Sequence, residues 1–169
     1  METPPDWVTL TRDEQVVWSG PPSPIPYAVG TVVPLLLVLA GTVVFAAPVE
    51  TLLPVRAVPA AVRLGAAGFL VLLGAYGVVS AVLDWYSRRY AVTTDEVYHK
   101  QGLVSRSVTN VRFEQIENTG YTQSALGRLL SYGDVRVATA GTDRSEVVFR
   151  RVSDPAAVVE RITRRLDRV

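Results

Sequence analysis

The 169-residue sequence has no cysteine, one histidine (His99) and one lysine (Lys100). Without cysteine, a disulfide framework, a thiolate metal site and a cysteine nucleophile are all excluded. A single histidine also excludes a multi-histidine metal site within one chain. No glycine-rich phosphate loop precedes a helix, and no carboxylate is paired with a base. The sequence therefore predicts no catalytic residues, no metal and no cofactor, and it makes His99 an ordinary strand histidine.

Charge is missing from two long stretches, 25–49 and 64–83. Within them, 27–47 and 64–83 would each extend about 30 Å as a helix, which is the thickness of the hydrocarbon core of a membrane. Tyr27, Trp85 and Tyr86 lie at the ends, where aromatic rings prefer the membrane interface. We therefore expect two transmembrane helices. The alternative is a helical hairpin buried in a soluble core, and a cleaved signal peptide is disfavoured by the acidic residues that precede the first span.

The two spans form a hairpin because the segment between them is too short for a domain and is broken by Pro48, Pro54 and Pro59. Both termini then lie on the same side. Four basic residues flank the hairpin on that side: Arg12, Arg88, Arg89 and Lys100. The connecting loop has two, Arg56 and Arg63. This asymmetry predicts a multi-pass protein of the plasma membrane with cytoplasmic termini.

Small residues recur along the second span: Gly65, Gly68, Gly74, Gly77 and Ala81. They allow close approach of another helix, either the first span or a second copy of the chain. Segment 1–26 contains six prolines around a short predicted strand at Val16 to Trp18. Trp18 has two interpretations, an anchor at the lipid headgroups or a contact with the C-terminal domain.

The pattern changes to a period of two in segment 84–169, which is typical of short antiparallel strands. Five strands are predicted at 86–93, 97–101, 105–113, 134–139 and 146–151, with 114–121 extended and turns at 94–96, Gly102 and 140–143. A short helix is expected at 123–131. A second helix begins at Asp154-Pro155 and carries an apolar stripe of Val158, Val159, Ile162 and Leu166. The arginines on its other face are solvated or meet a membrane or an acidic partner.

Several motifs follow the second span in a fixed order: YAVTTD (90–95), GLVSR (102–106), RFEQIENT (112–119), LGRLL (126–130) and YGDV (132–135). In this order the chain resembles the membrane-flanked bacterial and archaeal pleckstrin-homology-like (PH-like) family from about Asp84 to Leu166. Gln115 and Glu117 stand where that family has a basic residue and a glutamine. The resemblance implies a small barrel of about seven strands closed at one end by a C-terminal helix, with no catalytic residues and no fixed ligand.

These observations predict a membrane helical hairpin at 27–83, preceded by an extended segment at 1–26 and followed by a PH-like domain at 84–169. The net charge of +3 in 84–169 is too small and too dispersed to indicate nucleic-acid binding. We expect a non-enzymatic scaffold at the cytoplasmic face of the membrane, binding a protein partner or a second copy of itself. The alternative is a module that senses anionic lipid through Arg88, Arg89, Lys100 and Arg106.

Overall fold

The computed structural model describes residues 5–11, 13–46, 59–139 and 146–166. The described residues form two compact units. One comprises residues 27–84, and the other combines the N-terminal segment up to residue 26 with the chain from residue 85 onward. The turn predicted at 140–143, Arg12, Arg56 and the first two prolines of the hairpin loop lie outside the described residues.

Two apolar helical segments make up the unit 27–84. The first consists of α1 (Ile25–Gly30) and α2 (Val32–Ala46), and the second is α3 (Ala60–Ser87). Hydrogen bonds from Thr31 N to Tyr27 O and from Leu35 N to Thr31 O, both 3.0 Å, continue the helical pattern between α1 and α2. Both segments are long and apolar enough to cross a membrane. Helix α3 extends four residues beyond each end of the predicted span.

Helices α2 and α3 approach closely at glycines. A Cβ atom added to Gly74 would lie 2.4 Å from Pro34 O, and one added to Gly41 would lie 2.8 Å from Ala67 O. The expected packing of small residues against the first span is therefore present at Gly74, whereas a Cβ at Gly68 would have open space around it. Near the ends of the unit, the Tyr27 hydroxyl donates to Asp84 Oδ2 at 3.1 Å.

Most large apolar side chains of the two segments are exposed. Leu72 is 72% exposed, Tyr76 73% and Phe69 66%. The hydrophobic effect would not leave so many apolar side chains in water, because each one buried contributes about 1.5–3 kcal/mol. The described chain does not cover them, which argues against a hairpin enclosed in a core of its own chain.

The second unit contains two antiparallel sheets. The first has four strands in chain order: β1 (Val16–Gly20), β2 (Arg88–Thr93), β3 (Glu96–Gln101) and β4 (Ser107–Arg112). A 3₁₀ turn at Phe113–Gln115 leads to the three-stranded sheet of β5 (Ile116–Thr122), β6 (Tyr132–Thr139) and β7 (Glu146–Ser153). Helix α4 (Ala125–Leu129) joins β5 to β6, and α5 (Pro155–Leu166) follows β7.

Three of the predicted segments begin later than their patterns indicate, and one of them is β4, which begins at Ser107 instead of residue 105. Helix α3 continues through Tyr86 and Ser87, so β2 begins at Arg88 instead of residue 86. The side chain of Trp85 is fixed in this last turn by its indole N–H, which donates to Pro22 O at 2.9 Å. Alternation over two residues is compatible with either a helix or a strand, so the pattern alone does not place this boundary. Likewise, the segment predicted as extended from residue 114 starts in the 3₁₀ turn.

Both sheets and α5 share one core. Its buried members come from every layer: Tyr90, Val92, Val97, Val135, Val137, Phe149, Val152, Val158 and Ile162. The rings of Tyr90 and Phe149 stack with centroids 4.6 Å apart, which joins β2 to β7 across the sandwich. Val158 and Ile162 are buried, so the apolar stripe predicted for the C-terminal helix is confirmed.

The N-terminal segment belongs to this unit. Strand β1 pairs with β2, and Trp18 packs against the shared core instead of being free to anchor elsewhere. Further upstream, Val8 packs against Ala91 and Tyr98, and the Tyr98 hydroxyl donates to Thr9 O at 3.0 Å. We call residues 7–10 the N-terminal strap. The strap covers the face of the first sheet opposite the core, which nothing in the sequence pattern predicted.

Candidate functional site

The four cations expected at a lipid surface lie at one end of the first sheet, but on different faces of it. Arg89 and Lys100 are directly opposite one another on β2 and β3. Arg88 is opposite Gln101 in the same ladder and, by the alternation of strand side chains, points to the other face, towards the core. Arg89 and Lys100 are therefore close neighbours, since Cβ atoms of opposite residues are about 5 Å apart.

Two tryptophans accompany this pair of cations. The Arg89 guanidinium carbon lies 5.7 Å from the centroid of the Trp85 ring, and the Lys100 Nζ atom lies 5.7 Å from that of Trp7 in the strap. Such distances are within the range of cation–π attraction. Arg89 also donates to the backbone oxygen of Arg88 at 2.8 Å. The two cations are thus held beside aromatic rings at one end of the two central strands of the sheet.

The turn that joins β3 to β4, residues 102–106, lies at the same end. Gly102 has a φ of +99°, and a Cβ atom there would lie 1.9 Å from Ser105 O, so the position requires glycine. Gly102 N donates to Ser87 O at 3.0 Å, which holds the turn beside the last residue of α3. Val104 is fully exposed and Leu103 is half exposed at the tip. We call residues 102–106 the apolar turn.

Arg106 ends the apolar turn and faces the N-terminal segment. Its Nη1 atom lies 3.8 Å from Asp6 Oδ2, and both side chains are largely exposed. An ion pair so exposed contributes little to stability and leaves the guanidinium accessible to other anions. Of the four predicted residues, Arg89 and Lys100 lie opposite one another, and Arg106 lies at the end of the turn that follows the strand of Lys100. Arg88 is separated from them because it points to the other face of the sheet.

Arg88 instead lines a cleft between the two sheets. The cleft has a volume of about 410 Å³ and is lined by Arg88, His99, Gln101, Thr109, Val147, Val148 and Arg150. Arg88, His99 and Thr109 belong to the first sheet, whereas Arg150 belongs to β7 of the second. No carboxylate is among the described lining residues. We call this space the arginine cleft.

His99 stands at the inner wall of the arginine cleft. Its ring lies 5.3 Å from that of Tyr90, and its Nε2 atom is buried without a hydrogen-bond partner among the described residues. Burial lowers the pKa of His99, and the positive charges of Arg88 and Arg150 lower it further. The imidazole is therefore neutral near pH 7, and it is not the solvated or satisfied strand histidine that its sequence position indicated.

The opposite end of the first sheet is acidic. A second pocket of about 260 Å³ there is lined by residues that include Glu14, Asp95, Glu96 and Glu114. Arg112 and Asn110 bond to the Glu96 carboxylate at 3.2 Å and 2.7 Å. These hydrogen bonds and the charge of Arg112 lower the pKa of Glu96, although burial opposes the effect. Burial raises the pKa of Tyr98, and the hydrogen bond with Glu96 and the neighbouring carboxylates raise it further.

Neither end carries the arrangement that catalysis by these residues would need. Within the described ranges, no group of three or more histidine or acidic side chains could hold a metal ion. Thr109 lies opposite His99 in the β3–β4 ladder, but no carboxylate lines the cleft to orient the imidazole as a base.

Sequence reasoning missed the arginine cleft because its residues come from four strands, and β7 lies far along the chain from β2, β3 and β4. Arg150 lies in the run Phe149 to Arg151, and nothing in that run distinguishes it from the arginines exposed elsewhere. The stacking of Tyr90 on Phe149 is what brings β7 beside β2. Only the packing of the two sheets against each other shows that Arg88 and Arg150 line the same cleft.

A family model described as "Bacterial PH domain" matches residues 32–166, which is most of the sequence, so the chain belongs to the bacterial PH domain family. One similar solved structure is a DUF1696 family protein with a pleckstrin-homology domain from Shewanella loihica PV-4. It is 13% identical, and the similarity covers 47% of this chain and 70% of that chain with a TM-score of 0.38. No curated protein matches the sequence. The family assignment agrees with the resemblance drawn from the ordered motifs.

Proposed function

We propose that this member of the bacterial PH domain family is a non-enzymatic, membrane-anchored module that contacts anionic lipid through the apolar turn and its neighbouring cations. The bond from Gly102 N to Ser87 O carries the proposal, because it ties the turn to the residue that ends α3. An α3 that crosses the bilayer then brings the exposed Leu103 and Val104 to the lipid surface. The same exposure would be unfavourable in water.

The cations supply the electrostatic part of the proposed contact. Each lysine or arginine near an anionic leaflet contributes about 1 kcal/mol. Arg89, Lys100 and Arg106 together would contribute about 3 kcal/mol, which corresponds to roughly a hundredfold preference for anionic over neutral lipid. The basic residues that flank the two spans are expected on the cytoplasmic side of the membrane. This agrees with the proposed contact, because anionic lipids are concentrated in the cytoplasmic leaflet. We therefore place both termini on the cytoplasmic side of the plasma membrane.

The absence of cysteine from the sequence permits a direct test in the full-length chain. A Val104→Cys variant carries a single thiol, which can be labelled with an environment-sensitive fluorophore after reconstitution into lipid nanodiscs. Leu129→Cys is the matched control, because Leu129 is 79% exposed on α4. The label at residue 104 should shift to the blue and resist aqueous quenchers in discs containing phosphatidylglycerol, while the label at residue 129 stays in water.

Two further measurements sharpen the result. Replacing Lys100 and Arg89 by glutamine in the Val104→Cys background should move the label outward, and high salt should do the same. A label at residue 104 that is as accessible to quenchers as the control, in both neutral and anionic discs, would refute the lipid contact. Extraction of the unlabelled chain from native membranes by carbonate alone would refute the membrane anchor.

A second candidate function is self-association, which the edge strand β4 favours. Among the described residues β4 pairs only with β3, in a regular register without a bulge. Five of its six residues are exposed, from Ser107 to Asn110 and at Arg112. Such an edge offers free backbone donors and acceptors to another strand, and two identical antiparallel strands pair symmetrically. The proposed scaffold would form by pairing β4 with β4 of a second copy.

Crosslinking in native membranes tests this candidate. An Asn110→Cys variant should form dimers with a short bismaleimide, and the Leu129→Cys control should not. Equal yields from both positions would show random collision and would count against pairing through β4. Dimers at residue 110 together with an unburied label at residue 104 would favour the scaffold over the lipid contact.

A further inference from the structure

The N-terminal strap and the residue before it contact two of the three cations that the proposed lipid contact uses. The Lys100 Nζ atom lies 5.7 Å from the centroid of the Trp7 ring, and Lys100 is only partly exposed. Asp6, which precedes the strap, places its Oδ2 atom 3.8 Å from Arg106 Nη1. The docked strap therefore lies over Lys100 and sets a negative charge beside Arg106.

The contacts that hold the strap on the sheet are few and weak. Val8 is its buried side chain, and Trp7 and Leu10 are only partly buried around it. The Tyr98 hydroxyl donates to Thr9 O at 3.0 Å. An exposed ion pair and a cation–π contact at the surface each add little to this. A segment held by one small apolar cluster and one neutral hydrogen bond belongs to the least stable part of a fold, where local opening has a low free-energy cost.

The chain that follows the strap is held more firmly. Glu14 is buried and accepts a hydrogen bond from Thr93 Oγ1, and Gln15 O accepts one from Thr94 N at 2.9 Å. Strand β1 then pairs with β2. The strap can therefore leave the sheet while β1 remains in place. Because it stays tethered to β1, a released strap competes for its own site at a high effective concentration.

We propose that the N-terminal strap is an autoinhibitory cover: docked, it occupies Lys100 and Arg106, and an anionic membrane surface displaces it. The inference rests on the proposed lipid contact, whose regulation it names. A ligand shifts a two-state equilibrium only if it interacts differently with the two states. An anionic surface does so here, because it repels Asp6 and attracts the cations that release of the strap exposes. Trp7 of the released strap can also enter the headgroup region, where tryptophan rings are favoured.

Two variants of the full-length chain release the strap in different ways. Asp6→Asn removes the charge beside Arg106, and Val8→Ser removes the buried contact without changing any charge. Each is combined with the labelled Val104→Cys variant, in nanodiscs whose phosphatidylglycerol content buries about half of the label. Both variants should raise the ratio of buried to accessible label. The increase for Asp6→Asn should be about fivefold, which is the effect of one charge near an anionic leaflet.

Each variant has a matched control in the same segment. Asp13→Asn removes an equal charge from an exposed position outside the strap and should leave the ratio unchanged. Thr9→Ser alters an exposed side chain of the strap and keeps the backbone oxygen that Tyr98 bonds, so it should also have no effect.

The coupling is reciprocal, so lipid should also act on the strap. Hydrogen exchange of the chain without the residue 104 substitution measures this directly. The amide of Val8, which donates to Pro5 O at 3.0 Å, and the other strap amides should exchange faster in phosphatidylglycerol discs than in phosphatidylcholine discs. Exchange in β6 and β7 should be the same in both.

The outcomes distinguish a failure of this inference from a failure of the proposed function. A label at residue 104 that is buried equally with the native strap, with Asp6→Asn and with Val8→Ser overturns the inference and leaves the lipid contact standing. Strap amides that exchange equally in both kinds of disc overturn it as well, and so does an Asp13→Asn effect as large as that of Asp6→Asn, which would show a response to net charge alone. A label that stays in water in every background refutes the lipid contact itself, and the inference with it.

Discussion

The attachment of the N-terminal segment to the first sheet depends on Glu14, and removing that side chain should release the segment. The Glu14 carboxylate is only 6% exposed. It accepts hydrogen bonds from Thr11 N at 2.9 Å, from Thr11 Oγ1 at 3.2 Å and from Thr93 Oγ1. A hydrogen bond to a charged group contributes about 1.5–3 kcal/mol, and part of this offsets the cost of burying the carboxylate.

We expect Glu14→Ala to lower the free energy of unfolding by about 2–3 kcal/mol. The expected loss is smaller than the summed contribution of the three hydrogen bonds to Glu14. Thr93 Oγ1 still accepts a bond from Glu96 N, at 2.9 Å, and Thr11 is exposed, so its donors can bond to water instead. Thr93→Val removes the same contact from the other side, so the double variant should lose less than the two single variants combined. Asp13→Ala is the control, since Asp13 is exposed beside Glu14.

Two assays check this expectation on the full chain in detergent. Urea unfolding followed by tryptophan fluorescence reports the stability of the β-sheet unit, because all three tryptophans lie in it. Hydrogen exchange should show faster exchange in β1 and the strap of Glu14→Ala, with β6 and β7 unchanged. If Glu14→Ala and Asp13→Ala differ by less than about 0.5 kcal/mol, the buried carboxylate does not hold the segment, and the reasoning from its hydrogen bonds is wrong.

Three further changes test other parts of the fold. Gly74→Leu should lower the thermal stability of the helical unit in detergent, because its Cβ alone would meet the Pro34 carbonyl, while Gly68→Leu should have little effect. Stability of the wild type should decline as the pH falls below about 6.5, since the folded state resists protonation of His99, and His99→Phe should flatten this decline in urea titrations at several pH values. Gly102→Val should cost about 1–3 kcal/mol by the same urea measurement, because it forces a β-branched residue to a φ of +99°.

Sequence alone predicted the elements whose pattern is long and periodic. The two apolar segments, the period-two strands and the stripe of Val158 and Ile162 on α5 each extend over many residues, so local errors average out. The boundary at Arg88 was not predictable in this way. The end of α3 is determined by tertiary contacts such as the bond from Trp85 to Pro22 O, and these depend on residues more than 60 positions away.

The candidate sites were predicted less completely, because a site depends on the face of the sheet to which each side chain points, and not only on the position of the residue in the sequence. Arg88 and Arg89 are adjacent in the sequence and were assigned a common role, yet successive residues of a strand point to opposite sides of the sheet. Which face of β2 becomes the core is decided by Tyr90 and Val92 and by their contacts with β7. The sequence could indicate the cations of one end of the sheet but not the separation of Arg88 from Arg89 and Lys100.

The charges of the β-sheet unit are arranged along the strands, and this arrangement matters more for a membrane contact than the net charge. Arg88 and Arg89 begin β2, whereas Asp95 and Glu96 lie just past its other end. Six residues of strand extend roughly 20 Å, which is more than twice the Debye length of about 8 Å at physiological ionic strength. An anionic surface at the basic end is therefore screened from the carboxylates of the acidic end. The unit can be attracted to lipid in one orientation although its total charge is small, and mutations at the acidic end should leave the lipid contact unchanged.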